Sequence, residues 1–157
     1  MNVFVYRPGA DANQNLKDWE SLIKDLGKVD GRKLLEFDDS LTPEGDRRCE
    51  IPAGTWPMKD VIWVGFAPRP GAPRTRVDIP SGARFTNLRS IGGSITVVSR
   101  VFGAEGGVPP ISDFGEPDQM HIGLDGGTSQ FANLGDVPLF DIEDKRVFFF
   151  GPAVPNP

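Results

Sequence analysis

Two stretches of the chain open alike: residues 51–65, IPAGTWPMKDVIWVG, and residues 79–98, IPSGARFTNLRSIGGSITVV. Each begins with isoleucine and proline, reaches a glycine two residues after the proline, and then enters short runs of strand formers. Proline fixes φ and donates no backbone N–H, so it suits a corner where a ladder needs no donor. Glycine tolerates the tight turn that follows. A corner and a strand written twice, with Ile51 and Ile79 28 positions apart, read as a chain passing through similar coils.

The text downstream keeps this character. From Cys49 onward, short strand-like runs such as CEIPAGTW, DVIWVGF, TRVDIPSG, SITVVSRVF, SQFANL and RVFFFGP are separated by Gly, Pro, Asn and Asp, and no helical period appears. Two further similarities stand out: LLEF at Leu34 against VIWV at Val61, 27 apart, and FTNL at Phe85 against FANL at Phe131, 46 apart. Two or three short strands per period of about 20–30 residues, with no helix between them, predict a β-solenoid. An antiparallel sandwich or barrel is the alternative. Asp30-Gly31 and Asp125-Gly126 are the only Asn-Gly or Asp-Gly pairs, so hairpin signals are scarce and the connections read as corners.

Upstream the pattern differs. Val3, Val5 and Tyr6 in NVFVYRPG read as a strand stopped by Pro8-Gly9. Leu16, Trp19, Leu22, Ile23 and Leu26 then fall three and four apart, one apolar stripe of a helix, with Asn15 as N-cap and Gly27 just past the end. RKLLEFDDS follows as a strand, with Asp38 and Asp39 in the turn that ends it.

This order of strand, amphipathic helix, strand and then IPAGTW leading into VIWVGF resembles the entry into the right-handed parallel β-helix of pectin-lyase-like proteins and phage tailspikes. In that family a helix covers the first coil, here residues 16–26, and an aliphatic-x-x-Gly-Thr-aromatic corner opens the ladder, here Ile51 to Trp56. The resemblance implies an all-β fold, a short right-handed parallel β-helix (β-solenoid) with one N-terminal amphipathic capping helix. Residues 1–48 would form the cap, 49–150 the coils and 151–157 an extended tail, all in a single domain. The family includes polysaccharide lyases, hydrolases and proteins without catalysis, and its enzymes have many more coils than this chain can form.

Composition narrows the function classes. Gly 19 and Pro 15 make the chain turn-rich, but 38% hydrophobic residues and Phe 11 supply a core. A net charge of -5 gives no general affinity for phosphate backbones, so no nucleic-acid partner is expected. No window approaches eighteen apolar residues and the N-terminus lacks a signal-peptide pattern. We therefore expect no membrane insertion, synthesis in the cytoplasm, and a place in a virion or outside the cell after release. The single cysteine, Cys49, forms no internal disulfide and reads as a small buried hydrophobe.

The densest acidic stretch, SDFGEPDQMHIGLDGG, carries Asp113, Glu116, Asp118 and Asp125 around the only histidine, His121. If the chain were an enzyme, these acids would be the catalytic candidates, since paired carboxylates serve glycoside hydrolysis. Asp113, Asp118 and Asp125 are also weak calcium candidates. The plain reading is a solvated loop, with no metal and no catalytic residues. On its strand beside Met120 and Ile122, His121 reads as an outward-facing polar residue. A lyase would want an arginine base near the acids; Arg74, Arg76 and Arg89 are candidates, and PRPGAPRTR, with Arg69, reads first as a stiffened corner loop. No Gly-x-Ser-x-Gly, P-loop or dinucleotide fingerprint is present, so no cofactor is expected.

Phe148, Phe149 and Phe150 close the argument. Side chains alternate faces along a strand, so three consecutive phenylalanines cannot all point inward. A partner subunit or the tail must cover at least one, which makes these residues the expected oligomer interface. Tailspike-like β-helices are homotrimers, and the resemblance implies the same here. The resulting expectation is a non-enzymatic structural or attachment protein of a phage-like particle, of tailspike, fibre or decoration type. Its partners would be other virion proteins or surface glycans. The alternative is a carbohydrate-active lyase or hydrolase acting on an acidic polysaccharide.

Overall fold

The computed structural model describes residues 2–43, 47–66, 74–114, 120–122, 129–140, 147–149 and 153–155, the last segment and 148–149 by backbone only. Among the described residues, thirteen strands and one α-helix follow in the order β1 (Asn2–Tyr6), α1 (Ala12–Leu26), β2 (Lys33–Phe37), β3 (Cys49–Glu50), β4 (Gly54–Pro57), β5 (Val61–Gly65), β6 (Thr75–Pro80) and β7 (Ala83–Thr86). After them come β8 (Ser90–Ile91), β9 (Ile95–Arg100), β10 (Met120–Ile122), β11 (Ser129–Asn133), β12 (Val147–Phe149) and β13 (Ala153–Pro155).

The strands form three sheets, ordered β1-β2-β5-β8-β10-β12, β13-β11-β9-β6-β3 and β4-β7. Every strand pair is parallel. Hairpins would have produced antiparallel neighbours, so the described strands exclude the antiparallel sandwich. The chain instead visits the sheets in rotation: β2, β3, β4, then β5, β6, β7, then β8 and β9. The third sheet continues as single bridges, Phe85 to Ile111 and Ile111 to Phe140.

The repeated corner that opened the sequence stacks in register. Cys49 pairs with Val77 and Glu50 with Asp78, which sets Ile51 beside Ile79, and both isoleucines are fully buried. Gly54 adopts φ 146, a conformation side chains avoid, and a Cβ there would lie 2.5 Å from the Trp56 ring. LLEF and VIWV also stack, but Leu34 meets Ile62, a step of 28 rather than the 27 read from the sequence. The FTNL and FANL pair does not. Phe85 lies on β7 and Phe131 on β11, in different sheets, because Asn87 turns at φ 60 into a corner while FAN continues the ladder beside β9.

Alternation along each strand builds the core. Leu35, Trp63, Ile91 and Ile122 stand opposite one another across four parallel strands, and none is exposed. An aromatic series crosses the interior: Trp19 to Tyr6 at 4.9 Å, Trp19 to Phe37 at 6.3 Å, Phe37 to Trp63 at 5.2 Å and Trp63 to Phe85 at 4.8 Å between centroids. Most of these contacts are edge-to-face, the favoured arrangement for ring quadrupoles. Cys49 is buried among the core residues, as expected, and burial raises its thiol pKa well above the ordinary value.

The helix forms where its stripe predicts, but it starts earlier. Asp11, not Asn15, is the N-cap, its carboxylate accepting from the amides of Asn13 and Gln14. Asn15 clamps Gly9 instead, accepting from its N–H at 2.8 Å and donating to its carbonyl at 2.9 Å. Trp19 carries the helix onto Tyr6, Phe37 and Trp56, so α1 lies over the β1 and β2 end of the sheets. Asp38 ends β2 in the turn role expected: it accepts from the Ser40 amide and pairs with Arg7 at 2.7 Å. Burial pushes its carboxyl up, but Arg7 and Ser40 outweigh that and hold it below the ordinary value. That contribution is present above the ordinary carboxylate range and fades as pH falls through the lowered value. β2, placed by the sequence in the entry segment, pairs with β5 in the ladder, and β13 of the tail pairs with β11.

Candidate functional site

Of the acids singled out in the sequence, Asp113 is exposed on the segment before β10. Glu116, Asp118 and Asp125 lie outside the described residues, as does Arg69. Among the described residues no three His, Cys, Asp or Glu side chains gather as metal ligands. Phe148 and Phe149 lie on β12, paired with His121 and Ile122 of β10; their side chains and the whole of Phe150 fall outside the description.

Arg76, a candidate base, is placed with an acid the sequence reading passed over. On β6, Val77 and Ile79 join the core, so the alternation sends Arg76 and Asp78 to the opposite face. Asp78 Oδ1 accepts from Arg76 Nε at 2.6 Å, and Oδ2 from Arg100 Nε at 2.9 Å and Arg48 at 3.3 Å. The carboxylate side chain is 2% exposed and its partners 33–39%. Arg48 precedes β3, Arg76 is on β6 and Arg100 ends β9, so one carboxylate ties three neighbouring strands. This is a structural knot, since the carboxylate is buried and both its oxygens are taken by arginines. Replacing Asp78 with Asn should lower unfolding free energy by about 3 kcal/mol in urea titrations, because the guanidiniums then face an amide that accepts at only one atom. A loss below about 0.5 kcal/mol would reduce the knot to an ordinary surface pair.

His121 sits between buried Met120 and Ile122 and points out of the six-stranded sheet, half-buried, as the sequence indicated. With Arg32, Asp60, Arg89 and Ser90 it lines a cleft of about 290 Å³. Parallel pairing makes this junction: His121 is opposite Ser90, Ser90 opposite Ile62, and Arg89 and Arg32 immediately precede β8 and β2. The His121 amide also donates to the Arg89 carbonyl at 2.6 Å. Burial, then Arg89, then Arg32, lower the imidazole pKa. Because the folded value lies below the unfolded one, stability falls as pH drops from the ordinary imidazole range toward it. Among the described residues, the Nε of Arg89 is buried with no hydrogen-bond partner.

A larger groove of about 610 Å³ runs between the start of α1 and the corners at Pro52 and Pro80. Among the described residues its charged side chains are Arg48 and Glu50, of opposite sign, and Arg48 is already engaged with Asp78. The cleft at His121 is thus where like-charged groups converge. Its members Arg32 and Arg89 are 57 positions apart in sequence, and only the observed register brings them together. Comparison with protein-family models, with curated proteins and with solved structures finds no match.

Proposed function

We propose that the chain is a short right-handed parallel β-helix serving as a non-enzymatic structural or attachment module of a phage-like particle, assembled as a homotrimer. The rotation of the chain through three parallel sheets supports the β-helix. The tailspike-like entry read from the sequence supports the particle. The observation that carries the assembly is the outer face of the six-stranded sheet. There Val3 is 51% and Val5 39% exposed, and Leu34, Ile62 and Val64 on the adjoining strands are only half-buried. The apolar row is Val3, Leu34 and Ile62, since Glu36 stands between Val5 and Val64, and such a row on the water side of a sheet is commonly covered by another protein surface. In this reading one end of the stack is closed by α1, while β12 and β13 end their sheets among the described strands and offer backbone groups to a neighbour. Surface glycans and neighbouring virion proteins are the partners of such a module.

Light scattering on a sizing column tests it. The reading expects a mass three times 17.1 kDa, stable on dilution, and dissociation when Leu34 and Ile62 are both replaced by Lys. A monomer at every concentration would overturn the trimer.

A further inference from the structure

We propose that the cleft between Arg32, Arg89 and His121 is a binding site for one oxyanion group, a sulfate, phosphate or carboxylate. Among the described residues, Arg32, Arg89 and His121 line it against a single acid, Asp60. The described lining therefore sums to about +1 with His121 neutral and about +2 with it protonated, on a chain whose net charge is -5. A local surplus of that sign in a recess, on an acidic protein, concentrates anions where the rest of the surface repels them.

The second observation is the buried Arg89 Nε. A guanidinium N–H removed from water without an acceptor costs free energy, and buried donors in folded proteins are ordinarily paired. An oxyanion in the cleft supplies the acceptor once the Arg89 side chain turns its buried Nε toward it, and guanidinium geometry suits a planar or tetrahedral oxyanion better than it suits chloride. Ser90 adds a hydroxyl on the same wall, and Asp60 sets a limit: a second negative group on the ligand would meet its carboxylate. The site therefore favours ligands presenting one oxyanion at a time.

His121 couples the site to pH. Among the described residues, the charged groups facing it are Arg32 ahead of β2, Asp60 ahead of β5 and Arg89 ahead of β8. A bound anion offsets the two arginines and favours the imidazolium, so binding tightens as pH falls through the imidazole range. The cleft is built within one copy but shares Ile62 with the apolar half of the same sheet face, so mass must be followed together with anion binding.

The chain holds one histidine, so its imidazole resonance follows the site without ambiguity. The experiment titrates that resonance with pH on the full chain, in inorganic sulfate, in acetate, and in sodium chloride of matched ionic strength, with mass measured alongside. Sulfate and acetate should each raise the proton affinity of His121 over chloride, sulfate about tenfold. Arg89→Gln should abolish the difference while leaving the amide spectrum of the fold in place, and Arg32→Gln should weaken it. Equal titrations in all three salts, or an unchanged sulfate effect in Arg89→Gln, would overturn the proposal. The mass record shows whether assembly was lost independently.

Discussion

Gly65→Ala is expected to leave the chain unable to reach its folded state. Gly65 ends β5 in phase with the core residues Val61 and Trp63, at the point where the next circuit passes closest. Its N–H donates to the Gly93 carbonyl at 3.0 Å, and a Cβ built on it would lie 1.8 Å from the Ser94 carbonyl oxygen and 2.6 Å from the carbonyl carbon. The obstacle is backbone, not the end of a flexible side chain, and Ser94 already holds φ 60. Relief would require moving the 93–94 corner away from β5. That shift would pull β9 from its ladder with β6, which begins at Thr75 opposite Ile95. The cost exceeds about 4 kcal/mol, a large share of the stability of a domain of this size. Gly106→Ala is the internal control. Gly106 has φ 77 but nothing within 4 Å of its Cβ, so only the backbone penalty of about 1 kcal/mol applies. Thermal melts by circular dichroism compare the two, and equal midpoints would refute the close packing of successive circuits at this corner.

That corner also marks what a single sequence discloses. The IP-x-G repeat was legible because proline and glycine are chosen for backbone reasons that hold in any coil. The helix was legible because Trp19, Leu22, Ile23 and Leu26 keep a 3.6-residue period. Its start was not, because Asp11 and Asn15 both satisfy the composition of a cap, and only the backbone decides which amide each can reach. The LLEF and VIWV alignment missed by one residue because both runs are almost wholly apolar, so the alternation of faces that forbids a one-residue slip cannot be read from their letters. FTNL and FANL misled because four similar letters serve as a corner in one place and a ladder in another. Asp78 shows the same limit from the side of the site. Arg76 and Asp78 are two apart and share a face by alternation, yet Arg48 and Arg100 join them only through circuits of unequal length: Val77 pairs with Val97, 20 positions on, whereas Cys49 pairs with Val77, 28 positions on. The cleft at His121 depends on the same offsets.

Trp63→Ala is expected to destabilise the fold by about 4 kcal/mol, the range for removing a large aromatic side chain from a packed interior. Trp63 is fully buried, edge-on to Phe37 at 5.2 Å and to Phe85 at 4.8 Å, and in register with Leu35 and Ile91 on either side. Phe37 belongs to β2 and Phe85 to β7, so the indole spans the interior between two sheets. The cavity it leaves is lined by strands whose backbones are pinned on both sides by ladder hydrogen bonds, so collapse to fill it is restricted. Trp63→Phe should cost far less, about 1 kcal/mol, because it removes part of the volume but also an indole N–H that has no hydrogen-bond partner. Urea unfolding with an unchanged slope measures both. The effect should extend to α1, because Trp19 reaches this aromatic series through Phe37 at 6.3 Å. Amide exchange in the helix should therefore accelerate in Trp63→Ala along with that of β5 and β7. If the helix kept its protection while the strands lost theirs, α1 would be an independently stable unit laid over the sheets rather than part of one cooperative core.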